Sequence, residues 1–338
     1  MSKTILVTGG AGYIGSHTCV ELLAAGAKVI ILDNLCNSRK VAVERVEQIT
    51  GKKATFVEGD IRDEALLDRL LAEHPIDATI HFAGLKAVGE SVAKPLSYYD
   101  NNVAGTVNLL KALDRSGKRR VVFSSSATVY GEPERVPLDE ECRLGPTNPY
   151  GQSKLMVEYI LRDLAATGGW SIATLRYFNP VGAHESGLIG EDPSGMPNNL
   201  TPFITQVLVG RREKIQVFGK DWPTPDGTGV RDYIHVVDLA LGHRAALKRL
   251  FEVGDSFTVN LGTGQGYSVL EMIAAFEKAS GKKATYELVA RRPGDVATVY
   301  ADPKRATELL GWRAERGIDA MCRDGWRWQE QNPKGFAG

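Results

Sequence analysis

The 338-residue chain carries 41 basic and 41 acidic residues, so its formal net charge is zero. With no long run of either sign, binding to nucleic acid or to a membrane surface by bulk electrostatics is not expected. The apolar segments are too short to span a bilayer, no cleavable signal pattern is seen, and four scattered cysteines suggest neither disulfides nor a zinc site. We therefore expect a soluble cytoplasmic protein.

A glycine-rich turn follows the first predicted strand, Thr4–Thr8, whose apolar run is typical of a strand buried on both faces of a parallel sheet. The turn, Gly9–Gly15, satisfies G-x-x-G-x-x-G and, from Gly10, also G-x-G-x-x-G. Such glycines allow a tight turn, close approach of the backbone to a pyrophosphate, and close packing of the next helix. The helix N-terminus favours negative charge, so the segment predicts a dinucleotide site.

Acidic residues follow the next two predicted strands. Asp33 ends the second strand, where a carboxylate accepts hydrogen bonds from ribose hydroxyls and repels a 2′-phosphate. This favours NAD over NADP. Arg39 and Lys40 could argue the other way, but beside Asp33 we expect them to be solvated. Asp60, after the third strand, is placed to contact adenine.

The later strands end in small or hydroxyl-bearing residues. The strand 77–82 leads into Ala83-Gly84, a turn that lets a cofactor pass close to the backbone, and the strand 119–123 leads into Ser124-Ser125-Ser126. Strands that alternate with helices in this way predict an α/β fold, a Rossmann-type doubly wound parallel sheet. Ligands of such sheets bind at the carboxyl ends of the strands.

Tyr150 and Lys154 share one face of a predicted helix because they are four residues apart. A free Tyr titrates near pH ~10, so acting as a base near neutrality requires a pKa lower by about three units, or about 4 kcal/mol. An ammonium about 4 Å away supplies roughly that much at an effective dielectric of about 20. Desolvation opposes it, so a second cation such as an oxidised nicotinamide ring would help. An ordinary helix pair is the alternative, which the preceding dinucleotide motif disfavours.

Ser126 is the candidate third member of this catalytic group. A hydroxyl at the strand end can hydrogen-bond a substrate hydroxyl and help its proton move to Tyr150. Strand-end capping is the alternative, and the triple serine leaves open which hydroxyl points inward. Asn101 and Asn102 open a predicted helix, where N-capping is the alternative to a role in the site.

After Asn179 the sequence becomes rich in Gly, Pro and Asn, and the alternation of strand and helix becomes irregular. We predict a NAD-binding domain over residues 1–179 and a smaller C-terminal α/β substrate-binding domain over 180–338. Segments 230–239 and 257–261 look like strands that could return to the first domain. Arg231 and Arg292 lie in loops of the second domain, where they either bind a diphosphate in a bidentate way or are simply solvated. The six histidines lack the spacing of metal ligands, so no metal is expected.

The motifs Thr8–Gly15, Ser124–Gly131 and Tyr150–Lys154 resemble those of the extended short-chain dehydrogenase/reductase family. Within that family, His81–Ser91 is similar to the corresponding segment of the UDP-glucose 4-epimerases. Four further segments share this similarity, and the match covers essentially the whole chain: 33–35, 176–183, 197–200 and 227–235.

The resemblance implies tightly held NAD that is regenerated in each cycle. Tyr150 would take the proton from the 4-hydroxyl of a UDP-sugar while hydride leaves C4 for the nicotinamide. The 4-keto sugar would then turn and receive the hydride on its other face. Lys154 would bind the nicotinamide ribose and lower the pKa of Tyr150. A homodimer is also implied, packed through helices near Pro95–Leu113 and Tyr150–Leu164.

The resemblance carries two sets of site residues over to this chain by position. The set around the cofactor is Gly9, Gly12, Tyr13, Ile14, Gly15, Asp33, Asn34, Asn37, Ser38, Asp60, Ile61, Phe82, Ala83, Gly84, Lys86, Asn101, Ser126, Tyr150, Lys154 and Phe178. The set around the UDP-sugar is Lys86, Ser126, Tyr150, Asn179, Asn199, Leu200, Gln216, Phe218, Arg231, Arg292, Asp295 and Val299.

One position departs from a pattern found in some members of the family, which carry a Tyr where this chain has Val299 before Tyr300. A smaller side chain should leave room for a 2-acetamido group, so UDP-N-acetylglucosamine and its galacto epimer are expected as further substrates.

The nearest competing function is that of a nucleotide-sugar 4,6-dehydratase. Elimination of water needs an acid and a base after the strand-end hydroxyl, where this chain has Ala127-Thr128. The motifs would also suit a net dehydrogenase or a non-catalytic dinucleotide-binding protein. Turnover of UDP-galactose without added cofactor would separate an epimerase from both.

Overall fold

The computed structural model describes residues 2–193, 195–292 and 294–337. Its strands are β1 (Thr4–Thr8), β2 (Lys28–Asp33), β3 (Thr55–Glu58), β4 (Ala78–His81), β5 (Arg120–Ser126), β6 (Ser171–Tyr177), β7 (Asn179–Val181), β8 (Ile215–Phe218), β9 (Val230–His235), β10 (Phe257–Leu261), β11 (Gly266–Ser268), β12 (Tyr286–Val289) and β13 (Thr298–Val299). Its α-helices are α1 (Tyr13–Ala24), α2 (Lys40–Thr50), α3 (Glu64–Glu73), α4 (Val88–Ala93), α5 (Pro95–Tyr98), α6 (Gly105–Arg115), α7 (Pro149–Ala166), α8 (Leu200–Leu208), α9 (Val236–Glu252), α10 (Val269–Ser280), α11 (Lys304–Leu310) and α12 (Ile318–Gln331).

Seven parallel strands form the large sheet, in the order β10-β6-β5-β4-β1-β2-β3. The chain adds strands in one direction from β1 to β3 and in the other direction from β4 onward. The order therefore reverses between β1 and β4, and a crevice for ligands opens at the carboxyl ends of such strands. The predicted Rossmann-type doubly wound sheet is confirmed.

Both faces of this sheet are covered, which explains why its strands are apolar without alternation. Ile5 and Val7 of β1 pack into a cluster with apolar residues of α1 and α9 on one face. Leu6, between them, packs on the other face with residues of α3, α6 and α7. All five residues of β1 are buried, so the Gly9–Gly15 turn starts from a fixed position.

The rest of the chain forms a smaller unit around β9. This strand pairs with β11, β13 and β7, and β8 pairs with β12 in a separate two-stranded sheet. A third apolar cluster joins residues of β7, β8, β9 and β11 to α8, α10 and α12. The boundary predicted after residue 179 remains a prediction.

The strand expected over 230–239 is wrong in its second half. It ends at His235, whose Nδ1 accepts a hydrogen bond from Val237 N at 3.1 Å and so caps α9. The strand lies in the smaller sheet, whereas β10 at 257–261 pairs with β6 in the large sheet.

The helix expected to open at Asn101 and Asn102 is also different in the structure. Both residues lie inside a π-helical segment, Tyr99–Ala104, that joins α5 to α6. Neither residue is an N-cap, so their amides are available for other contacts. Across the residues that the structure describes, none of the helices combines the length and the apolar composition that a bilayer-crossing segment needs.

Candidate active site

A cavity of about 450 Å³ lies at the carboxyl ends of the large sheet. Every residue of the predicted cofactor set lines it, together with Asn179, Asn199, Arg231 and Val299 of the predicted substrate set. Five members of the substrate set are not among its lining residues: Leu200, Gln216, Phe218, Arg292 and Asp295.

The glycine turn has the geometry of a phosphate cradle. Gly9 has a φ of +70°, and a Cβ there would lie 2.7 Å from Ala83 N. A Cβ on Gly15 would lie 2.3 Å from Gly9 O. The N-cap of α1 is Gly12, whose lack of a capping side chain leaves the first-turn N–H groups of the helix open to an anion. The donors at this turn therefore fit a diphosphate.

Asp33 fastens this turn to the loop after β2. Its Oδ2 accepts from Ala11 N at 3.0 Å, and its Oδ1 accepts from Leu35 N at 2.9 Å and from Ser38 Oγ at 2.8 Å. A carboxylate has about four acceptor positions, so capacity for a ribose hydroxyl remains. Asp33 thus shapes the cofactor side of the cavity as well as lining it.

Asp60 is held in its ionised form at the same end of the cavity. Hydrogen bonds from Arg62 lower the pKa of Asp60 well below its usual range, and Asn34 Nδ2 donates to its Oδ2 at 2.8 Å. Arg39 is exposed, as expected, although it also lines the cavity and its Nε lies 3.6 Å from Asp192 Oδ2.

Helix α7 presents Tyr150 and Lys154 to the cavity one turn apart. Asn148 caps the helix, its side chain accepting from Gly151 N at 2.9 Å, and Pro149 occupies the first turn. Lys154 is buried, and its Nζ donates to Ser124 O at 2.8 Å. The ammonium lies 6.0 Å from the centroid of the Tyr150 ring.

Burial shifts the pKa values of Tyr150 and Lys154 in the directions that favour the uncharged side chains. Burial lowers the pKa of Lys154 to about 8, with Glu158 opposing the change. Burial also raises the pKa of Tyr150, and a hydrogen bond with Ser126 opposes that change. Burial thus favours the neutral phenol of Tyr150, and positive charge brought by a bound ligand would favour the phenolate.

The three serines at the end of β5 have different environments. Ser125 Oγ donates to Glu158 Oε1 at 2.5 Å, beneath the sheet edge, while Ser124 and Ser126 line the cavity. This follows from the alternation of side chains along a strand. Ser126 also caps the next turn by accepting from Thr128 N at 3.2 Å, so the capping alternative and a place on the cavity wall hold together.

Asn102 is a supporting residue whose role the capping interpretation misses. Its amide donates to Leu85 O at 2.9 Å and to Ser153 Oγ at 3.0 Å, and its Oδ1 accepts from Leu85 N at 2.8 Å. It therefore joins the loop after β4 to the helix that carries Tyr150. In the sequence, the adjacent Asn101-Asn102 pair is the signal that could have indicated this role of Asn102.

On the substrate side, burial lowers the pKa of Arg231, and Arg231 Nη1 donates to Val230 O at 2.9 Å. Arg292 pairs with Asp295 at 3.0 Å and stacks on Phe218, with its guanidinium 4.6 Å from the ring centroid. Gln216 Nε2 donates to the exposed Glu287 at 3.3 Å.

Leu200 begins α8 and packs against the third apolar cluster. For Leu200 and the other four residues away from the cavity wall, a role in binding remains a prediction. Among residues 2–193, 195–292 and 294–337, no cluster of His, Cys, Asp and Glu could hold a metal ion.

Comparison with known proteins agrees with this geometry. A family model described as GDP-mannose 4,6 dehydratase matches residues 6–325. The UDP-glucose 4-epimerase of Bacillus subtilis is 60% identical over 333 residues, 98% of each chain. That of Homo sapiens is 57% identical over 344 residues, 99% of each chain.

Solved structures show the same relationship. The UDP-glucose 4-epimerase of Bifidobacterium longum, in complex with NAD+ and UDP, superposes with a TM-score of 0.95 at 57% identity, covering 99% of this chain and 100% of the other. That of Brucella ovis, in complex with NAD, gives a TM-score of 0.91 at 40% identity, with 96% and 98% covered. Although the family model carries the name of a dehydratase, these full-length relatives are epimerases. The chain belongs to the UDP-glucose 4-epimerase family, on the extended short-chain dehydrogenase/reductase fold.

Proposed function

We propose that the protein interconverts UDP-glucose and UDP-galactose through a 4-keto intermediate, using tightly bound NAD. The observation that carries the proposal is the convergence of Tyr150, Lys154 and Ser126 on one cavity with an uncapped, glycine-lined helix N-terminus. A side chain that can take a proton from a substrate alcohol and a dinucleotide site lie in one cavity, and this supports reversible oxidation of that alcohol.

The residues of the cavity divide the work of binding. The N–H groups of Tyr13, Ile14 and Gly15 would hold the NAD diphosphate, and Asp33 the adenosine ribose. Arg231 and Asn179, which line the other side, would hold the UDP diphosphate. When bound, NAD supplies an acceptor for the hydride of C4 and returns it later.

Tyr150 would accept the proton of the 4-hydroxyl. The Ser126 hydroxyl would hydrogen-bond the same 4-hydroxyl and help its proton move to Tyr150. Burial raises the pKa of Tyr150, and the positive charges of Lys154 and of an oxidised nicotinamide, when bound, would lower it. A firmly held nucleotide leaves the sugar free to turn, and either face of the 4-keto group can then receive hydride.

Dehydration is not favoured by the residues after Ser126. Thr128, in the position where an acid would be needed, donates its hydroxyl to Ser126 Oγ at 2.9 Å. Incubating the purified protein with UDP-galactose and no added cofactor, followed by NMR of the products, tests the proposal. We expect UDP-glucose without stoichiometric NADH; a 4-keto-6-deoxy sugar nucleotide, or no turnover, would contradict it.

The proposal extends to acetamido sugars because half-buried Val299 lines the cavity. Val299→Tyr should reduce kcat/KM for UDP-N-acetylglucosamine at least ten-fold, since a ring replaces an isopropyl group where the acetamido group needs space. Turnover of UDP-galactose by the same variant is the control. Equal turnover of the acetamido sugar by both proteins would contradict the extension.

We also propose a homodimer. Val92, Leu96, Met156 and Tyr159 are 64%, 81%, 39% and 42% exposed. They lie on α4, α5 and α7, which pack together, so they form an apolar patch of the kind that marks an interface. Leu96→Asp should shift the mass measured by light scattering from two chains to one; a monomeric parent would contradict the proposal.

A cytoplasmic location, where nucleotide sugars are available, is part of the same proposal, and cell fractionation tests it.

A further inference from the structure

Glu191 lies in the cavity wall, in contact with two residues of the predicted site, Lys86 and Asn199. Its Oε1 accepts from Lys86 Nζ at 3.0 Å and from Asn199 Nδ2 at 2.6 Å. The carboxylate is 9% exposed, and its Oε2 has no hydrogen-bond partner within the part of the chain that the structure describes. Neither the motifs nor the family resemblance singled this residue out.

The backbone of Glu191 is fixed independently of these contacts. Trp328 Nε1 of α12 donates to Glu191 O at 3.3 Å. Gly190 lies directly against the indole, so a Cβ there would be 2.3 Å from Trp328 Cγ. The backbone that carries the carboxylate is therefore anchored to α12 by contacts that do not involve Lys86 or Asn199.

The two partners come from separate parts of the fold. Lys86 is in the loop between β4 and α4 of the large-sheet unit, and its side chain is 41% exposed. Asn199 is the N-cap residue of α8 in the smaller unit, and its side chain makes no capping hydrogen bond. One carboxylate oxygen thus holds a loop of one unit and a helix start of the other.

A carboxylate beside a site for two diphosphates needs an explanation, because it repels those anions. A nearly buried carboxylate is also costly unless it is paired and hydrogen-bonded. The hydrogen bonds from Lys86 and Asn199 offset part of the cost of burial, and a role in holding these two side chains would explain why the carboxylate is there. A long, half-exposed lysine loses rotamer freedom when a ligand orders it, and a prior ion pair removes part of that loss.

We propose that Glu191 is a positioning residue that couples Lys86, in the loop after β4, to Asn199, at the start of α8. The inference rests on the proposed function only for the identity of the two ligands. Each side chain is restrained by the oxygen that restrains the other, so loss of Glu191 loosens both halves of the cavity together. Tyr150 and Lys154 are not partners of Glu191, so binding should suffer more than the chemical step.

The test is a double-mutant cycle on the holoenzyme with Glu191→Gln, Lys86→Met and the double variant. We expect Glu191→Gln to raise the KM for UDP-galactose about ten-fold, as for loss of a charged hydrogen bond, with kcat changed less than about three-fold. The fraction of NAD retained after gel filtration should fall. The double variant should lose less than the product of the two single effects, because Glu191 and Lys86 share one contact, while the contact with Asn199 is lost only with Glu191.

Asp192→Asn is the matched control, since the neighbouring carboxylate contacts Arg39 and Phe336 N instead. Its effect should multiply with that of Lys86→Met. Multiplying effects of Glu191→Gln and Lys86→Met, or a fall in kcat with KM unchanged, would overturn the inference.

A second variant and a second measurement keep the result interpretable. Should Glu191→Gln fail to fold, Asn199→Ala removes the other contact, and its cycle with Lys86→Met should be non-additive as well. Calorimetric titration with UDP reports coupling without turnover. A parent that binds UDP but lacks epimerase activity would therefore count against the proposed function alone, and additive UDP affinities in an active parent against the coupling alone.

Discussion

At the scale of single residues, we expect the charge of Lys154 to favour the phenolate of Tyr150, which lies one helical turn away. Lys154 Nζ is held by Ser124 O at 2.8 Å, and burial lowers its pKa to about 8. Lys154 is therefore mostly protonated at pH 7 and loses its charge as the pH rises through about 8. Since burial of Tyr150 already favours the neutral phenol, loss of this ammonium removes a charge that the phenolate requires.

We expect kcat/KM to decline above about pH 8, because Lys154 loses there the positive charge that favours the Tyr150 phenolate. Lys154→Met should lower kcat by roughly 10²–10⁴, the usual contribution of assisted proton transfer, and should abolish the decline. A pH–rate series of both proteins measures this. An alkaline decline that persists unchanged in Lys154→Met would show that another group causes it.

At the scale of elements, a buried ion pair holds the catalytic helix against the sheet. Arg176 of β6 donates to Glu158 of α7 at 3.0 and 2.7 Å, and both side chains are nearly buried. Ser125 of β5 bonds to the same carboxylate, so three elements around the site share it. The serine cluster and the Tyr150 helix are thereby kept in one arrangement.

Glu158→Gln should reduce the free energy of unfolding by about 3–5 kcal/mol, because it leaves the Arg176 charge buried without its counterion. Urea unfolding followed by circular dichroism measures the change. Glu252→Gln is the matched control, since its pair with Lys248 is exposed and should contribute under about 1 kcal/mol. Equal losses in the two variants would contradict this account of the helix.

At the scale of the whole molecule, the sequence predicts well what depends on local pattern. Continuous apolar strands that alternate with helices are sufficient to predict the large parallel sheet. The Gly9–Gly15 turn and Asp33 then predict which edge binds the ligand, because the carboxyl ends of parallel strands meet at one edge. Residues far apart in the chain are brought to that edge by topology alone. For this reason the predicted cofactor residues all line one cavity.

What depends on tertiary contacts was not predictable. The segment 230–239 is rich in β-branched and aromatic residues, which are typical of a strand, and the cap at His235 that separates β9 from α9 is seen only in the folded structure. Glu191 has no periodic signal, since its partners Lys86 and Asn199 are 105 and 8 residues away. Phe218 and Arg292 stack on each other away from the cavity, a pairing that no spacing in the sequence indicates.

The measurement that tests the central claim most directly is epimerisation of UDP-galactose by Tyr150→Phe, which removes one hydroxyl and little else. The account predicts that kcat falls by at least about 10²-fold, while bound NAD and the thermal midpoint match those of the parent. A Tyr150→Phe protein that interconverts the two sugar nucleotides at the parent rate would contradict it.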